Sequence, residues 1–473
     1  MSDGTVLAAG GSAWYQEPGV PGVPYGGSEV EGLRATRVYD PAANTWRATA
    51  PMHHARWYPS LLTLPDGKLL VVGGVGKLIK PIYPGHPEDS GRNVGQTETY
   101  DPSSRTWTDN GPSAARSMPL FPRVHVLPDG NVYYDAGGQV FNPTGEAYDE
   151  AIWNLASVYD VVNKAWRDLG VPMNGPVPVG FRGSTFSIML PLRPDVTGRY
   201  TKAQFLSAGG VLGTWPGTYL ANDISTLETV DTASGDRMTS EATGSLTQRR
   251  WYSSGVVLPT GHVLALSGAT ADEVVAPGTG KPVPQAELYN PATRHWSRAA
   301  TDARNRTYHN TAVLLPDGRV LVGGHAPLPT GWGAQSDTGR AFGLSAPESD
   351  PTFSVYSPPY LFRGRRPVIT SVNPSVAYDQ PLTIDTTDAK SISTVALVRN
   401  PAVTHLIDGD QRIVDLVVVN RRADSITVGV PGNTVLPPGP YMLFVNRNTA
   451  HGEIPSVARQ VFVGGPVPAW LAR

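Results

Sequence analysis

The sequence predicts an all-β protein, and three features carry this prediction. Glycine (51 residues) and proline (45 residues) make up roughly a fifth of the 473 residues, while hydrophobic residues account for 40%, so turns are frequent in a chain that can still build a core. Two short phrases recur along the chain, and each is typical of a β-hairpin. After position 366 both phrases stop and short apolar strands follow closely, which indicates a second domain.

The first phrase consists of an apolar run, a turn at Pro-Asp-Gly or a variant of it, a second apolar run and, in most copies, Gly-Gly. Its copies are SDGTVLAAGG (2–11), LPDGKLLVVGG (64–74), LPDGNVYYDAGG (127–138), LPTGHVLALSG (258–268) and LPDGRVLVGG (315–324). The turn positions 3, 66, 129, 260 and 317 are separated by 63, 63, 131 and 57 residues. The double gap predicts one degenerate copy, for which FLSAGG (205–210) and STLETVDTASGD (225–236) are the candidates.

The second phrase places Asp-Pro, Asn-Pro or a variant at a turn and ends on a Trp. Its copies are VYDPAANTW (38–46), ETYDPSSRTW (98–107), SVYDVVNKAW (157–166) and ELYNPATRHW (287–296). Four-stranded units of about 40 to 65 residues, with Gly-Gly after the second strand and a late Trp, are typical of Kelch blades. The alternative, a tandem array of immunoglobulin-like domains, gives no reason for Gly-Gly to recur at one place.

The last part of the chain has about seven short apolar strands and no blade phrase, which is typical of an Ig-like β-sandwich. We therefore predict a Kelch-type β-propeller over residues 1–362, followed by a sandwich over residues 363–473. We expect seven blades with the first one incomplete, since the printed chain opens at a hairpin turn without the innermost strand before it.

Composition excludes several classes of function. The formal net charge is −2 without a basic stripe, so we expect no nucleic-acid partner. No apolar run approaches 18 residues and no leader is visible in the printed chain, so we expect neither a membrane span nor a signal peptide in it. Cysteine is absent, which excludes disulfides, Cys-ligated zinc and thiol catalysis.

Residues at the start of innermost propeller strands converge on the central axis. Eight residues before the turn position stand Tyr58, Phe121, Tyr252 and His309, so four blades direct a ring to one place. The alternative is that these rings only fill the tunnel. The adjacent Tyr308 and His309 weigh against that alternative, because both can face the axis at a strand end, which brings a phenol and an imidazole within reach of one ion.

Three segments resemble the galactose oxidase and glyoxal oxidase family of copper radical oxidases. RWYPSLLTLPDGKLLVVGG resembles the segment with the radical tyrosine, and NRTYHNTAVLLPDGRVLVGG resembles the one with the axial tyrosine and first histidine. VTHLIDGDQRIVDL and PPGPYMLFVNRNTAHGEIPSVARQVFV resemble the C-terminal domain, where a loop carries the second histidine up the axis. The resemblance covers nearly the whole chain.

The resemblance implies one copper ion held by Tyr58, Tyr308, His309 and His405, with Tyr308 acting as the base. Two imidazoles with phenolic and solvent oxygens suit tetragonal Cu(II). For His405 the alternative is a surface-loop histidine.

The resemblance also implies aromatic residues around the ion. It gives Trp215 the place over the radical tyrosine, with a core or rim tryptophan as the alternative, and it gives Tyr252 and Phe121 places in the substrate pocket.

One departure from the family pattern concerns the thioether that a cysteine forms with the radical tyrosine. The chain has no cysteine, and the eight-residue rule places the axial position of the first blade upstream of Met1. Either a longer form supplies that strand and its cysteine, or the chain is a cysteine-less relative. As printed, we expect it to be impaired in propeller closure and radical chemistry, with no Cys-Tyr cofactor within the chain.

The activity that the resemblance implies is oxidation of a primary alcohol or aldehyde, carbohydrates among them, with O2 reduced to H2O2, in an extracellular or cell-surface setting. The RWYP context and Trp215 favour the glyoxal oxidase branch. The alternative from another class is a non-catalytic Kelch propeller that binds a glycan or a protein.

Overall fold

The computed structural model describes residues 1–16, 28–77, 93–138, 151–173, 182–212, 220–271, 281–325, 350–469 and 471. Within these ranges the chain forms strands and turns and no α-helix, so the all-β prediction is confirmed. The helical segments in these ranges are five single 3-10 turns, at Pro112–Ala114, Ala151–Asn154, Thr232–Ser234, Pro359–Phe362 and Ala389–Ser391. No helix in the described ranges is long and apolar enough to span a membrane.

Six antiparallel sheets, each built from strands in sequence order, follow one another along the first three quarters of the chain; we call them blades 1 to 6. Their strands, with the small pairs between them, are β1 (Val6–Ala9), β2 (Ser12–Gln16), β3 (Ser28–Gly32), β4 (Thr36–Asp40), β5 (Thr45–Ala48), β6 (Trp57–Thr63), β7 (Leu69–Val75), β8 (Glu98–Asp101), β9 (Thr106–Asp109), β10 (Val124–Val126), β11 (Val132–Tyr134), β12 (Gly137–Gly138), β13 (Ala156–Asp160), β14 (Ala165–Gly170), β15 (Arg182–Gly183), β16 (Phe186–Met189), β17 (Lys202–Ala208), β18 (Val211–Leu212), β19 (Leu220–Ala221), β20 (Ser225–Asp231), β21 (Arg237–Ala242), β22 (Ser254–Val257), β23 (Val263–Leu266), β24 (Gln285–Asn290), β25 (His295–Thr301), β26 (Thr311–Leu314), β27 (Val320–Gly323) and β28 (Phe353–Tyr356).

The strand orders are those of propeller blades. Blades 2 to 5 have four strands, in the orders β6-β7-β8-β9, β10-β11-β13-β14, β16-β17-β20-β21 and β22-β23-β24-β25. Among the described residues, blades 1 and 6 have three strands, β1-β4-β5 and β26-β27-β28. The degenerate copy predicted from the double gap is blade 4, where β17 and β20 pair along seven residues. The innermost strands of neighbouring blades contact one another, as in β6 with β10 and β22 with both β16 and β26.

The hairpin turns follow from local chemistry. In the second phrase the Asp or Asn before the turn accepts hydrogen bonds from backbone N–H groups two residues on, as Asp40 does from Ala42 and Asp160 does from Val162. The residue that closes the turn has a left-handed φ, 52° at Asn44 in blade 1. Side-chain bonds of this kind favour turns over continued strands, so each blade can form its outer hairpin from nearby sequence.

The last part of the chain forms two packed sheets. One has the strand order β29-β31-β37-β36 and the other β30-β40-β38-β32-β35, with β39 pairing β38 and a separate hairpin formed by β33 and β34. The bounds are β29 (Ile369–Val372), β30 (Ser375–Val376), β31 (Pro381–Thr386), β32 (Ile392–Arg399), β33 (Val403–Thr404), β34 (Ile407–Asp408), β35 (Ile413–Asp415), β36 (Val417–Arg421), β37 (Ser425–Gly429), β38 (Gly439–Arg447), β39 (Ile454–Pro455) and β40 (Arg459–Val463). Alternating buried residues fill the space between the sheets, as in β31, and this pattern is typical of a sandwich.

The sandwich packs on the propeller through buried polar contacts. The Gln411 side chain accepts a hydrogen bond from Met189 N (2.7 Å) and donates one to Met189 O (2.9 Å), on the innermost strand of blade 4. Arg412, which is buried, donates to backbone carbonyls of Val435 in the sandwich and Val126 in blade 3. These contacts fix the segment that precedes them, which carries the β33–β34 hairpin.

Candidate metal centre

A backbone bend with positive φ recurs just before or at the start of the innermost strand in five blades. The bend residues are Tyr58 (φ 62°), Phe121 (φ 44°), Ser184 (φ 51°), Tyr252 (φ 58°) and His309 (φ 51°). Left-handed backbone is uncommon for residues other than glycine, and such strained positions cluster at functional sites. Four of the five bends carry a ring, and these four are the positions that the sequence places eight residues before the turn.

The repeated glycines lie against these bends. Gly268 and Gly324 have φ values of 95° and 81°, and a Cβ at either would overlap a carbonyl oxygen, that of Trp251 or His309 respectively. The second strand of the blade can therefore approach the bend only with glycine at this place. This close approach is the physical reason for the Gly-Gly of the first phrase.

Two of the bends, at Tyr58 and Tyr252, are each preceded by a buried arginine that bonds to the same blade. The Arg56 guanidinium donates to Gly73 O (2.7 Å), Gln96 O (2.8 Å) and Glu98 Oε1 (3.0 Å), and both charged side chains are fully buried. Arg250 repeats the arrangement with Glu287, at 2.7 Å. Burial alone would raise the pKa of Glu98. The hydrogen bond from the His53 backbone N–H and the charge of the Arg56 guanidinium outweigh this effect, so the pKa of Glu98 lies below its usual value.

The β33–β34 hairpin carries His405 at its tip, where His405 and Leu406 have φ values of 41° and 69°. It is fastened to β6 by Asp410, whose carboxylate accepts hydrogen bonds from Thr63 N (2.9 Å) and Thr63 Oγ1 (3.0 Å). Arg399, which is buried, pairs with the same carboxylate at 3.1 Å. The β33–β34 hairpin of the sandwich is therefore bound to β6, the strand that begins with Trp57 and Tyr58.

Four side chains meet at the tip of this hairpin. Tyr58 Oη lies 3.4 Å from Tyr308 Oη and 3.3 Å from His309 Nε2. The His405 ring lies 4.4 Å from the Tyr58 ring and 4.8 Å from the His309 ring, measured between centroids. Thr404 Oγ1 lies 3.0 Å from His405 Nδ1, which leaves Nε2 as the nitrogen that can reach an ion. The structure therefore brings together Tyr58, Tyr308, His309 and His405.

Burial sets the protonation of this cluster. Burial raises the pKa of Tyr58 to about 12, against a smaller opposing effect of its hydrogen bond to Tyr308, and it raises the pKa of Tyr308 well above the usual value. Burial and the neighbouring His309 lower the pKa of His405 to about 3. At neutral pH both phenols hold their protons and His405 is neutral, so its ring presents a nitrogen lone pair.

Phe121 and Tyr252 lie beside the cluster. The Phe121 ring packs between the Tyr58 ring (4.3 Å) and the His405 ring (4.5 Å, interplanar angle 22°). The Tyr252 ring lies 4.5 Å from that of Tyr308, and the Tyr252 hydroxyl, fully buried, has no hydrogen-bond partner among the described residues. Trp215 lies outside the described residues.

The sequence interpretation missed two tryptophans that pack on the cluster phenols. Trp57 stacks on Tyr58 with centroids 3.8 Å apart and an interplanar angle of 21°, and Trp251 lies parallel to Tyr308 at 5.6 Å and 7°. The signal was present as the repeated Arg-Trp-Tyr at 56–58 and 250–252. It was overlooked because neighbours on a regular strand point to opposite faces, whereas the positive-φ bend lets both rings lie on the same side.

The donor set fits a copper ion. Phenolic oxygens and imidazole nitrogens suit tetragonal Cu(II), and ligands about 2.0 to 2.2 Å from an ion stand roughly 3 Å from one another, close to the spacings from Tyr58 Oη. In the described part of the chain, no three His, Cys, Asp or Glu side chains gather as a metal site, so a site built on His309 and His405 would take its further protein donors from the two phenols. A cleft of about 850 Å³, lined in part by Tyr58, Phe121 and His405, opens beside the cluster.

Comparisons with known proteins find relatives over most of the chain. Residues 23–331 match the family model "Glyoxal oxidase N-terminus", and residues 366–463 match "Galactose oxidase-like, Early set domain". The chain is 26% identical over 465 residues to an aldehyde oxidase GLOX of Vitis pseudoreticulata, covering 92% of this chain and 78% of that protein. It is 27% identical to a galactose oxidase of Gibberella zeae, covering 91% of this chain and 57% of that protein, so it spans little more than half of the second relative.

A solved structure supports the fold. It is described as a novel fungal alcohol oxidase with catalytic diversity among the AA5 family, in complex with copper. It superposes with a TM-score of 0.67 at 22% identity, over 96% of this chain and 85% of that one. At this identity the likeness speaks for the architecture alone, and the prediction of an all-β propeller followed by an Ig-like sandwich is confirmed. The described residues form six blades, so the expected number of seven stays a prediction.

Proposed function

Because the chain belongs to the glyoxal oxidase family, whose N-terminal model matches residues 23–331, we propose that it is a copper-dependent oxidase of aldehydes or primary alcohols. In the proposed reaction the substrate loses two electrons and two protons, with one hydrogen leaving its carbon and one leaving its hydroxyl group (that of the hydrate for an aldehyde), and O2 gains them to give H2O2. The observation that carries the proposal is the meeting of two phenols and two imidazoles, from blades 2 and 6 and from the sandwich, beside one cleft.

Each of the four side chains has a role in the proposal. Copper, when bound, supplies the one-electron redox chemistry that links substrate oxidation to O2 reduction. His309 and His405 provide nitrogen donors, and Tyr58 and Tyr308 provide phenolic oxygens. We assign Tyr308 to accept the hydroxyl proton of the substrate, which it could do once copper binding had displaced its own phenol proton. It is the more buried of the two phenols, with no exposed surface against 8% for Tyr58.

Phe121 and Tyr252 shape the substrate side in this proposal. Phe121 lines the cleft next to His405, so it presents an apolar wall to the carbon chain of the substrate. The buried Tyr252 hydroxyl, without a partner among the described residues, is a polar group that a substrate oxygen can satisfy. We keep the proposal that Trp215 lies over Tyr58; among the described residues, Trp57 stacks on that ring.

The chain contains no cysteine, so the thioether that the family resemblance implies for Tyr58 is not formed within it. An unlinked tyrosine is harder to oxidise, and we propose slow turnover for the chain as printed. We further propose the division into a propeller over 1–362 and a sandwich over 363–473, and an extracellular setting.

The function is tested by loading the purified chain with Cu(II), or with Zn(II) as a redox-inactive control, and measuring H2O2 and O2 consumption with small aldehydes, primary alcohols and galactose. We expect peroxide only from the copper form, equal to the O2 consumed. Tyr308→Phe is expected to lower the rate at least about 100-fold, the usual range for loss of a general base. Tyr39→Phe, on the outer face of blade 1, serves as the matched control and keeps the rate.

A copper-loaded chain that yields no peroxide with any of these substrates, or a Tyr308→Phe variant as active as Tyr39→Phe, would contradict the proposal. In that case the non-catalytic alternative, a propeller that binds a glycan or protein in its cleft, becomes the better account. The two accounts differ in one further respect, because a binding surface has no requirement for two phenols and two imidazoles around one point.

A further inference from the structure

A cleft of about 620 Å³ lies between blades 4 and 5; we call it the basic groove. Blade 5 lines it with the turns that follow β22 and β24, and blade 4 lines it with β17, β20 and the connection between β16 and β17. The bend at Tyr252 comes before β22 and the groove comes after it, so the groove and the metal centre lie at opposite ends of this strand. Sites for small molecules commonly have volumes of about 300 to 1,000 Å³, so the groove is large enough for a ligand.

Basic side chains dominate the charge of the lining. Four basic groups and one carboxylate, that of Asp195, line the groove, which is a formal excess of three positive charges. The basic residues are Arg193, Arg199, Lys202 and Arg294. The whole chain has a formal charge of −2, so the positive excess is a local property of this surface. Such an excess attracts ligands of the opposite sign.

Each of the four basic groups has a carboxylate within 4 Å, but these pairs are exposed. The distances are 2.9 Å for Arg193–Asp415 and Arg294–Glu241, and 3.7 Å for Arg199–Asp195 and Lys202–Asp231. In three pairs the basic side chain is the more exposed partner, at 64% against 15% for Arg193, 72% against 35% for Arg199 and 64% against 23% for Lys202. Exposed ion pairs contribute little to stability, so an anionic ligand can compete with these carboxylates.

Two turn positions that carry aspartate in other blades carry neutral residues in this groove. The aspartates are Asp66, Asp129 and Asp317 in the first hairpin and Asp40, Asp101 and Asp160 in the second. Blade 5 has Thr260 and Asn290 at these positions, and both line the groove. Asn290 Oδ1 still accepts the hydrogen bond from Ala292 N (2.9 Å) that an aspartate accepts in the other blades. The turn is therefore kept while the negative charge is removed.

Neutral polar groups complete the lining. Thr260 Oγ1 lies 3.0 Å from His262 Nδ1, and Gln204 Nε2 donates to Thr229 Oγ1 at 3.2 Å. Burial and the charge of Arg363 lower the pKa of His262, so its ring is neutral at neutral pH. Hydroxyl, amide and neutral imidazole groups both donate and accept hydrogen bonds, and they match a ligand that is rich in hydroxyl groups.

We propose that the basic groove binds an acidic oligosaccharide, a chain of sugar rings that carries carboxylate or sulfate groups. Its anionic groups meet the basic side chains, and its hydroxyl groups bond to the neutral polar groups of the same lining. Because both blades contribute basic residues, a ligand with several anionic groups along its length matches the groove better than one compact anion. The site lies apart from the metal centre and does not depend on the proposed oxidase function.

The test measures the binding of fluorescently labelled tetrasaccharides to the full chain, without copper, by anisotropy. One is a tetramer of galacturonic acid, one is a sulfated tetrasaccharide, and the control is the methyl ester of the first, which has the same rings without the charges. We expect saturable binding of one acidic tetrasaccharide per chain, at least about tenfold tighter than binding of the methyl ester and weaker as the salt concentration rises. The tighter of the two acidic ligands identifies the source of the anionic groups.

Two double variants locate the site. Thr260→Asp with Asn290→Asp restores the residue type that the other blades carry, so the turns are expected to form, and it places two negative charges in the groove. Arg199→Gln with Lys202→Gln removes two positive charges from the lining. Each is expected to weaken binding of the acidic tetrasaccharide at least about tenfold, because like charges are added or opposite charges are lost beside the ligand.

The matched control is Val162→Asp with Val419→Asp. These valines are 87% and 59% exposed in blade 3 and in the sandwich, and the change shifts the net charge of the chain by the same two units. Binding is expected to stay unchanged in this variant. Equal weakening in the control and in the two groove variants would assign the effect to net charge and would overturn the proposal.

Three further outcomes would also overturn it. One is the absence of saturable binding of either acidic tetrasaccharide. Another is equal binding of the galacturonic acid tetramer and its methyl ester. The third is a labelled oligoglutamate peptide that binds as tightly as the tetrasaccharides and is weakened by the same groove variants, because an acidic protein segment would then be the occupant.

Discussion

Replacing His405 with alanine is expected to lower the copper affinity of the chain more than about 100-fold while leaving it folded. Loss of a residue that only supports a ligand already costs about 10 to 100-fold in metal affinity, and His405 is assigned here as a ligand itself. The hairpin that carries it remains tied to β6 through Asp410 and Thr63, so the variant removes a donor without removing the anchor. The measurement is a Cu(II) titration against a competing chelator, with thermal unfolding of the metal-free variant recorded alongside.

The control for this variant is His451→Ala. His451 lies exposed in a turn of the sandwich, where its backbone N–H bonds to Thr449 Oγ1, and its loss is expected to leave copper affinity unchanged. Equal affinities in the two variants would show that the hairpin histidine takes no part in binding. A large drop in the unfolding temperature of His405→Ala would instead assign the loss to the fold.

Replacing Arg56 with methionine is expected to lower the free energy of unfolding by about 3 to 5 kcal/mol. Removing one partner of a buried ion pair leaves the other charge uncompensated, and losses of this size are typical. Here Glu98 would stay fully buried, and the carbonyls of Gly73 and Gln96 would lose their donors. Urea unfolding at neutral pH measures the change, and a loss below about 1 kcal/mol would contradict it.

Two further variants separate charge from packing. Arg56→Met with Glu98→Gln removes the stranded charge and is expected to recover part of the lost free energy. Arg319→Met breaks a pair with Asp317 in which both side chains are substantially exposed, and it is expected to cost less than about 1 kcal/mol.

The stability of the fold is also expected to depend on pH through Glu98, because the pKa of Glu98 is held low in the folded chain. The stability it contributes is present above its unfolded pKa and is lost as the pH falls through the folded value.

The repeat was predictable from sequence because each hairpin is local. Pro-Asp-Gly and Asp-Pro turns bond to their own backbone within a few residues, so the blade phrases could be recognised and even the degenerate blade 4 could be placed from the spacing of the others. The rings at Tyr58, Phe121, Tyr252 and His309 were predictable for the same reason, since they stand at a fixed distance before a recognisable turn.

The meeting of His405 with those rings was not derivable from any local pattern. His405 lies in the predicted sandwich, whereas the other rings lie in the propeller. The position of its hairpin depends on the contacts of Gly409, Asp410 and Gln411 with blades 2 and 4. A Cβ at Gly409 would overlap the carbonyl oxygen of Leu61, which shows how closely the hairpin approaches β6. Only the family resemblance indicated this contact in advance.

The buried ion pairs were missed because charge was considered only along the sequence, where charged residues of both signs are interspersed. Burial of Arg56 with Glu98 and of Arg250 with Glu287 follows from the blade geometry, which brings the start of one strand beside the third strand of the same blade. The Arg-Trp-Tyr repeat occurs at the start of both ion pairs, at 56–58 and 250–252. The buried pairing of its arginine and the stacking of its tryptophan follow only from the bend at the tyrosine, which the sequence alone does not show.

One copper ion that all four side chains can reach is central to the proposed function, and electron paramagnetic resonance of the Cu(II)-titrated chain tests this most directly. We predict one equivalent of bound copper, nitrogen splitting from two imidazoles, and a visible phenolate-to-copper band that Tyr58→Phe or Tyr308→Phe diminishes. A spectrum that shows a single imidazole nitrogen, or one that His405→Ala leaves unaltered, would contradict the proposed centre.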